Sequence, residues 1–356
     1  MANKVTIGTI GSLPLKADSA LSYSAGKVRV ALIGAGNMAN QAHYPSLKEF
    51  DDVELVALCD LNPEKLQATA AKFGIPKTYQ DYRKMLDETR PQAVYALMPP
   101  HQLFDVAMDI VDRGIDIFIE KPPAITSFQT ENLARLAVRR NIISAVGFQR
   151  RFHPLFQRCY QEVLRHGRLT QLVVNYYKNV TPTEEHPYYR GAIDILTSDV
   201  IHAVDALRYY SGGNVVSVTS DIRKLDCWYD CCFNAIICFD NDVTGLLSTN
   251  WRSGARKFSM EFHALGCCAY ANADKDAEIY VDNGAEPSRT LTNYGVADSE
   301  SEHIRQGFSA MARAFIDAVK SRCLPHNNLT DAVNTMKIVD AICANRLDRN
   351  KVGAYK

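Results

Sequence analysis

Residues 27–39 read K-V-R-V-A-L-I-G-A-G-N-M-A, and this stretch decides the fold. Val28, Val30, Leu32 and Ile33 give the β-branched, apolar texture of a buried strand. The strand runs straight into Gly34-Ala35-Gly36-Asn37-Met38-Ala39, the G-x-G-x-x-A form of a dinucleotide-binding turn. Gly34 permits the tight turn, Gly36 lets the backbone approach a pyrophosphate, and Ala39 lets helix and strand pack closely. A helix starting near Asn37 would offer its first N–H groups, around Asn37 and Met38, to the phosphates. Such a match is weak alone, so its surroundings carry the argument.

A second strand is predicted over 53–59, and it ends on Asp60, roughly twenty residues past the turn. An acid there accepts both ribose hydroxyls of adenosine and repels a 2′-phosphate. Neither Leu61 nor Asn62 supplies a cation for that phosphate, so NAD is expected rather than NADP. Asp60 can also cap the helix that Pro63 opens, which is compatible with the ribose role. Further on, the patterns predict helices over 63–73, 79–86, 103–113 and 126–140, and strands over 93–97, 115–119 and 142–147. This alternation belongs to a parallel sheet with helices on both faces, an α/β Rossmann domain over residues 27–147. Residues 115–123 read I-D-I-F-I-E-K-P-P: a strand ending on Glu120-Lys121, then prolines that cannot continue a ladder. Open α/β sheets bind ligands at the carboxyl ends of their strands, which makes Lys121 a candidate for chemistry. A solvated lysine at a strand end is the plainer alternative.

Beyond residue 147 the texture changes. A helix over 153–166, an alternating strand over 169–178 and a polar loop over 179–193 come first. That loop holds Glu184, Glu185, His186, Tyr188, Tyr189 and Arg190. A helix over 198–210 follows, then strands over 215–224, 230–239, 243–251 and 258–265, with a hairpin at Asp240-Asn241-Asp242. Helices over 310–319 and 331–345 flank Pro325. Residues 148–356 are therefore expected to form an α+β domain with a large, mostly antiparallel sheet for substrate binding and oligomerisation. The terminal helix can pack back on the first domain. Within 198–210, Val200, Val204 and Leu207 share one helical face, and Asp199, His202, Asp205 and Tyr209 the other. Asp199 and His202 are close enough to meet, and a carboxylate beside an imidazole raises its basicity, as a general base requires. An ordinary exposed polar face is the alternative.

At 356 residues the chain has room for two domains. Lys+Arg and Asp+Glu are both 40, so no net field favours nucleic acid or an anionic membrane. No apolar run approaches the ~20 residues of a bilayer span. Residues 1–26 lack the pattern of a secretory signal and read as a leader, or as an arm able to lie on a neighbouring subunit. Ten cysteines are too sparse for a disulfide scaffold. Neither adjacent pair, Cys231-Cys232 or Cys267-Cys268, would readily chelate one metal, since strand neighbours point to opposite faces. Reduced thiols, a cytoplasmic location and no metal are expected. The flat antiparallel sheet leaves one face needing cover, which suggests a homodimer or homotetramer.

Taken together, the glycine turn, the acid-ended second strand, E-K-P after a later strand and D-x-x-H-x-x-D in the second half resemble the Gfo/Idh/MocA oxidoreductases. The resemblance runs over residues 27–345 and includes Gly147-Phe148-Gln149-Arg150-Arg151-Phe152 and Asp331-Ala332. It implies that Lys121 is the catalytic lysine, preceded by Glu120 at the cofactor site, and that His202 is the catalytic histidine. In the family the histidine's acid partner sits four residues earlier, where this chain has Ser198, with Asp199 one step later. The family often has T-P-N-x-x-H after the third strand, against Met98-Pro99-Pro100-His101-Gln102-Leu103 here. The resemblance allows backbone contacts at Pro99 and His101 to carry over and gives no ground for assuming side-chain contacts at Met98 and Pro100. The resemblance further implies a cis Lys121–Pro122 bond and an NAD-dependent dehydrogenase oxidising a secondary hydroxyl of a sugar, glycoside or polyol. Arg151 and Tyr188, with Arg150, His186, Tyr189 and Arg190, are the expected hydroxyl-binding donors. Tyr176 or Trp251 is the expected aromatic platform, and each of these residues has a plain structural alternative. Two other activities share the fold: NAD-dependent, redox-neutral glycoside cleavage, and non-catalytic dinucleotide sensing.

Overall fold

The computed structural model describes residues 26–180 and 185–347; Glu184 and all but the last residue of the expected arm lie outside the described residues. β1 (Val28–Ile33), β2 (Val53–Cys59), β3 (Thr78–Tyr79), β4 (Ala93–Ala96), β5 (Asp116–Ile119) and β6 (Ser144–Val146) form one parallel sheet. Its order is β3-β2-β1-β4-β5-β6, so the chain steps outward to β3, crosses back, and steps outward the other way. The reversal falls between β1 and β4, where open sheets form a ligand crevice at their carboxyl ends.

Local chemistry sets the helices of this sheet: α1 (Tyr44–Lys48), α2 (Pro63–Phe73), α3 (Tyr82–Thr89), α4 (Pro100–Asp112) and α5 (Ser127–Arg139). α2 keeps its expected bounds. Asn62 caps it by accepting the Lys65 N–H at 2.9 Å, and Gly74 ends it at φ 66°. The cap is therefore Asn62 and not Asp60. α3 starts three residues later than expected, because Asp81 caps it and Thr78–Tyr79 is taken as an edge strand. α4 begins at Pro100, since proline suits the first turn.

The second sheet has eight strands: β7 (Leu169–Asn179), β8 (Val215–Arg223), β9 (Cys232–Phe239), β10 (Thr244–Asn250), β11 (Arg252–Ala264), β12 (Cys267–Asn272), β13 (Asp276–Val281) and β14 (Arg289–Thr292). The order is β14-β13-β12-β11-β7-β10-β9-β8, antiparallel throughout except where β7 meets β10. β12 to β14 were missed in the sequence. β12 is mostly small and polar and β13 and β14 are short, and each becomes a ladder only against the strand before it. The β9–β10 hairpin turns at Asp242, with φ 64°. α6 (Pro154–Leu164) and α7 (Ile201–Ser211) cover one face, over Val174, Phe258 and Phe262, all fully buried.

α8 (Asn293–Ala297), α9 (Glu302–Arg305), α10 (Phe308–Ser321) and α11 (Leu329–Ala344) complete the chain. By contacts it divides into two units: residues 26–152 with Ser299–Val333, and His153–Asp298 with residues 334–347. α10 thus belongs with the parallel sheet. It lays Phe308, Met311, Phe315, Ile316 and Val319 into the core that holds Tyr95 and Phe118. The Phe315 ring centroid lies 5.5 Å from that of Tyr95 and 5.8 Å from that of Phe118. Among the described residues no helix is long and apolar enough to cross a membrane.

Candidate active site

The nucleotide-binding side is built from the carboxyl ends of β1, β2, β4 and β5. Gly34 has φ +100°, and a Cβ there would lie 2.0 Å from the Leu97 carbonyl oxygen, so only glycine fits. Gly36 differs: a Cβ would meet nothing within 4 Å. The protein's own packing does not demand glycine at this position, and the open backbone face suits a pyrophosphate. Gly36, Asn37 and Met38 are exposed while Ala35 and Ala39 are buried. The helix begins at Asn37, as expected, and passes through a π-turn, Ala39–His43, before α1. Asp60 braces the glycine turn, its Oδ2 accepting the Ala35 N–H at 2.6 Å and its Oδ1 the Asn62 N–H at 2.7 Å. Each oxygen keeps a lone pair for a ribose hydroxyl. Pro99 caps α4 and His101 is exposed in its first turn. These residues fit an NAD molecule.

β5 ends on Glu120-Lys121, and the Lys121–Pro122 bond is cis. Glu120 Oε1 lies 2.5 Å from His43 Nε2, and Oε2 accepts the backbone N–H of Lys121 at 3.0 Å. Burial opposes ionisation of this carboxyl. The hydrogen bond and charge of His43, helped by Lys121, outweigh it and hold Glu120 below its ordinary range. Gly147 leaves room for the group, since a Cβ there would come within 3.2 Å of the carboxylate. His43 is fully buried, edge-on to Phe118 and Phe308. Glu120 therefore turns inward and fixes the backbone from which the half-buried Lys121 projects. The His43–Glu120 pair was not foreseen; a histidine in the turn after the glycines was its only sequence signal.

Arg151 requires a correction. It is fully buried, 2.6 Å from Asp331 Oδ2, donates to the His326 carbonyl at 2.7 Å and stacks on Phe148. It anchors the segment before α11 instead of presenting its guanidinium to a ligand. Arg150 is likewise buried and donates to Gln306 at 2.7 Å.

In the second unit, a π-turn over Leu196–Val200 leads into α7 and carries Asp199. Asp199 accepts hydrogen bonds from Tyr188 at 2.6 Å and Tyr176 at 3.2 Å, and the Lys178 ammonium pairs with its Oδ2. Trp251 Nε1–H donates to the Tyr188 hydroxyl at 2.9 Å. Lys178 also lies over the rings of Tyr176 and Trp251, 5.2 and 5.6 Å from their centroids. Burial first, and then the Asp199 charge, push the Tyr188 phenol well above its ordinary range. Trp251 is fully buried and Tyr176 nearly so, which makes them walls of this network and not an open platform. Lys178 was missed because a lysine near a strand end carries no motif.

The exposed polar helix face is also corrected. Asp199, His202 and Asp205 are all buried, at 6, 8 and 1% exposure. Buried ionisable groups persist only with partners, which counts against a merely solvated face. Asp205 accepts from Thr335 at 2.8 Å. His186 is buried against Trp228 and Tyr229, while Tyr189 and Arg190 are exposed and both have positive φ. Among the described residues no group of three or more His, Cys, Asp or Glu side chains could hold a metal ion.

Comparison with known proteins agrees with this architecture. Residues 28–148 match the model of an oxidoreductase family with an NAD-binding Rossmann fold. D-glucoside 3-dehydrogenase of Escherichia coli K12 is 31% identical over 147 residues, covering 41% of this chain and 42% of that protein. Myo-inositol 2-dehydrogenase of Thermotoga maritima is 24% identical over 198 residues, 54% of this chain and 58% of that one. The chain thus spans about half the length of these two relatives. A dehydrogenase from Chromobacterium violaceum superposes with a TM-score of 0.81 at 20% identity, covering 92% of this chain and 98% of that one, which shows the fold is shared.

Proposed function

We propose, from the membership of residues 28–148 in the Gfo/Idh/MocA family of NAD-binding oxidoreductases, that the whole chain is an NAD-dependent dehydrogenase acting on a secondary hydroxyl of a sugar, glycoside or polyol. The observation that carries this reading is the placement of Lys121. It leaves the carboxyl end of β5, on the same edge of the same sheet as the glycine turn after β1 and Asp60 after β2. A glucoside and an inositol dehydrogenase among the relatives support the substrate class.

Gly34, Gly36, Asn37 and Met38 would hold the pyrophosphate, Asp60 the adenosine ribose, and Pro99, His101 and the Glu120-Lys121 backbone the nicotinamide half. Bound there, NAD supplies the hydride acceptor. His202 accepts the substrate hydroxyl proton on its imidazole, and Lys121 donates a hydrogen bond to the same oxygen, stabilising developing alkoxide charge. Asp199, fixed by Tyr176, Tyr188 and Lys178, orients the imidazole. Tyr188 adds a polar wall for the sugar. The carboxylate at Asp60 favours NAD over NADP.

The test is incubation with NAD and a panel of sugars, glycosides and inositols, following NADH absorbance and products together. NADH growing with one of the compounds supports the proposal. Aglycone release without net NADH turns it towards redox-neutral cleavage. Dinucleotide binding with no turnover across the panel leaves a sensor.

A further inference from the structure

Two thiols stand apart from the machinery above. In the turn between β8 and β9, Cys227 Sγ donates to Cys231 Sγ at 3.4 Å. Cys227 is half-buried and Cys231 fully buried. Sulfurs this close need little movement to reach the ~2.05 Å of a disulfide. Within the turn the Leu225 N–H donates to Cys231 Sγ at 3.3 Å and Cys227 reaches the Tyr229 carbonyl at 3.2 Å, while the Cys231 N–H donates to the Arg223 carbonyl at 2.9 Å and Arg346 pairs with Asp230 at 2.8 Å. Its tip carries Trp228 and Tyr229, whose ring centroids lie 5.8 and 4.8 Å from that of His186. His186 Nδ1 accepts the Tyr188 N–H at 3.2 Å, and the Tyr188 hydroxyl bonds both Asp199 and Trp251. A contiguous set of contacts therefore runs from the thiol pair to the carboxylate one turn ahead of His202.

We propose that Cys227 and Cys231 are an oxidation site, which a peroxide converts to an intramolecular disulfide that reshapes the Trp228–Tyr229 turn against His186 and so shifts Tyr188 and Asp199. The more exposed Cys227 thiolate attacks a peroxide oxygen. The O–O bond breaks, hydroxide leaves and is protonated to water, and Cys227 becomes a sulfenic acid. The Cys231 sulfur then attacks the Cys227 sulfur, forming the S–S bond and breaking S–O. The hydroxyl departs as water with the Cys231 proton. Two electrons pass from the sulfurs to the peroxide, and two waters are released. Burial pushes the Cys231 thiol up to about 12, which suits the resolving partner and not the first nucleophile. That the shift affects turnover rests on the functional reading above; the disulfide and its structural coupling do not.

The test treats the full chain with hydrogen peroxide, blocks remaining thiols, and cleaves before aspartates without reductant. Cleavage before Asp226, Asp230 and Asp240 separates Cys227 from Cys231, so a disulfide leaves peptide 226–229 joined to 230–239 until reductant is added. Cys231→Ser is expected to abolish the link and Cys232→Ser to keep it. Peptides that separate without reductant, or a link that survives Cys231→Ser, overturn the site. The chain has two tryptophans, Trp228 and Trp251, so in a Trp228→Phe variant the emission of Trp251 reports the Tyr188–Asp199 contacts. A shift on oxidation, reversed by reductant and absent when Cys227→Ser is added, is expected. Unchanged emission after complete disulfide formation overturns the coupling. Neither readout needs turnover, so failure here is distinct from failure of the dehydrogenase reading.

Discussion

Gly34 and Gly36 sit two residues apart and are glycine for different reasons. At Gly34 a side chain would strike the Leu97 carbonyl and the backbone has positive φ. Gly34→Ala is therefore expected to cost about 2–3 kcal/mol or more of stability. Gly36→Ala meets no atom within 4 Å, so the unfolding midpoint should hold while NAD affinity falls by roughly tenfold or more. Thermal unfolding and NAD titration of the two variants separate these cases, and equal loss of stability in both would reject the distinction. Lys121→Ala and His202→Ala are each expected to lower kcat by ~10²–10⁴-fold with the fold kept. Steady-state kinetics on the sugar found in the NAD panel is the check, and near-native turnover in both variants rejects the pair.

Among the elements, α10 is the one whose placement matters most to the nucleotide-binding sheet. Besides its apolar face, it holds Asp52, at the entry to β2, through Arg313 at 2.8 Å and Lys320 at 2.8 Å. The Arg313 hydrogen bond is the chief cause of an Asp52 carboxyl held well below its ordinary range; burial opposes the shift, and Lys320 reinforces it. A depressed folded-state value means the contribution is fully present above the unfolded value, about pH 4. It is lost as pH falls from there towards the folded value. With Asp52 about one-third exposed, the effect is on the order of 1 kcal/mol. Asp52→Asn should be less stable than the parent at neutral pH, and the gap should close as pH falls below 4. Denaturant unfolding at several pH values measures it; a gap that stays constant contradicts the linkage.

For the molecule as a whole, residues 299–333 returning to the first unit has a direct consequence. A fragment of residues 26–152 leaves Tyr95, Phe118 and their neighbours without Phe308, Met311 and Phe315. It is expected to lack a cooperative unfolding transition, and a sharp transition in that fragment would show the sheet needs no α10. The large sheet bears on assembly. Opposite α6 and α7 its face shows Ile236 and Tyr270, 51 and 44% exposed, among half-buried Val173, Tyr177 and Leu246. A mixed apolar face of that kind suits a second copy of the chain. Light scattering is expected to give the mass of a dimer or tetramer, and a one-chain mass contradicts it.

The sequence by itself determined β1 and its glycine turn, Asp60 at the end of β2, the bounds of α2, and E-K-P after β5. Each rests on requirements that a few consecutive residues meet: positive φ, a cap, a proline that ends a ladder. Only the tertiary structure decided the pairings between distant segments. β12 to β14 exist because each finds a partner in the strand before it, starting from β11, and Arg151 is an anchor because Asp331 lies beside it. His43 meets Glu120 across 77 residues of chain, and Lys178 meets Asp199 from a different element. Local geometry is written in neighbouring residues, whereas a pairing between distant ones depends on which of many similar apolar surfaces the whole chain brings together.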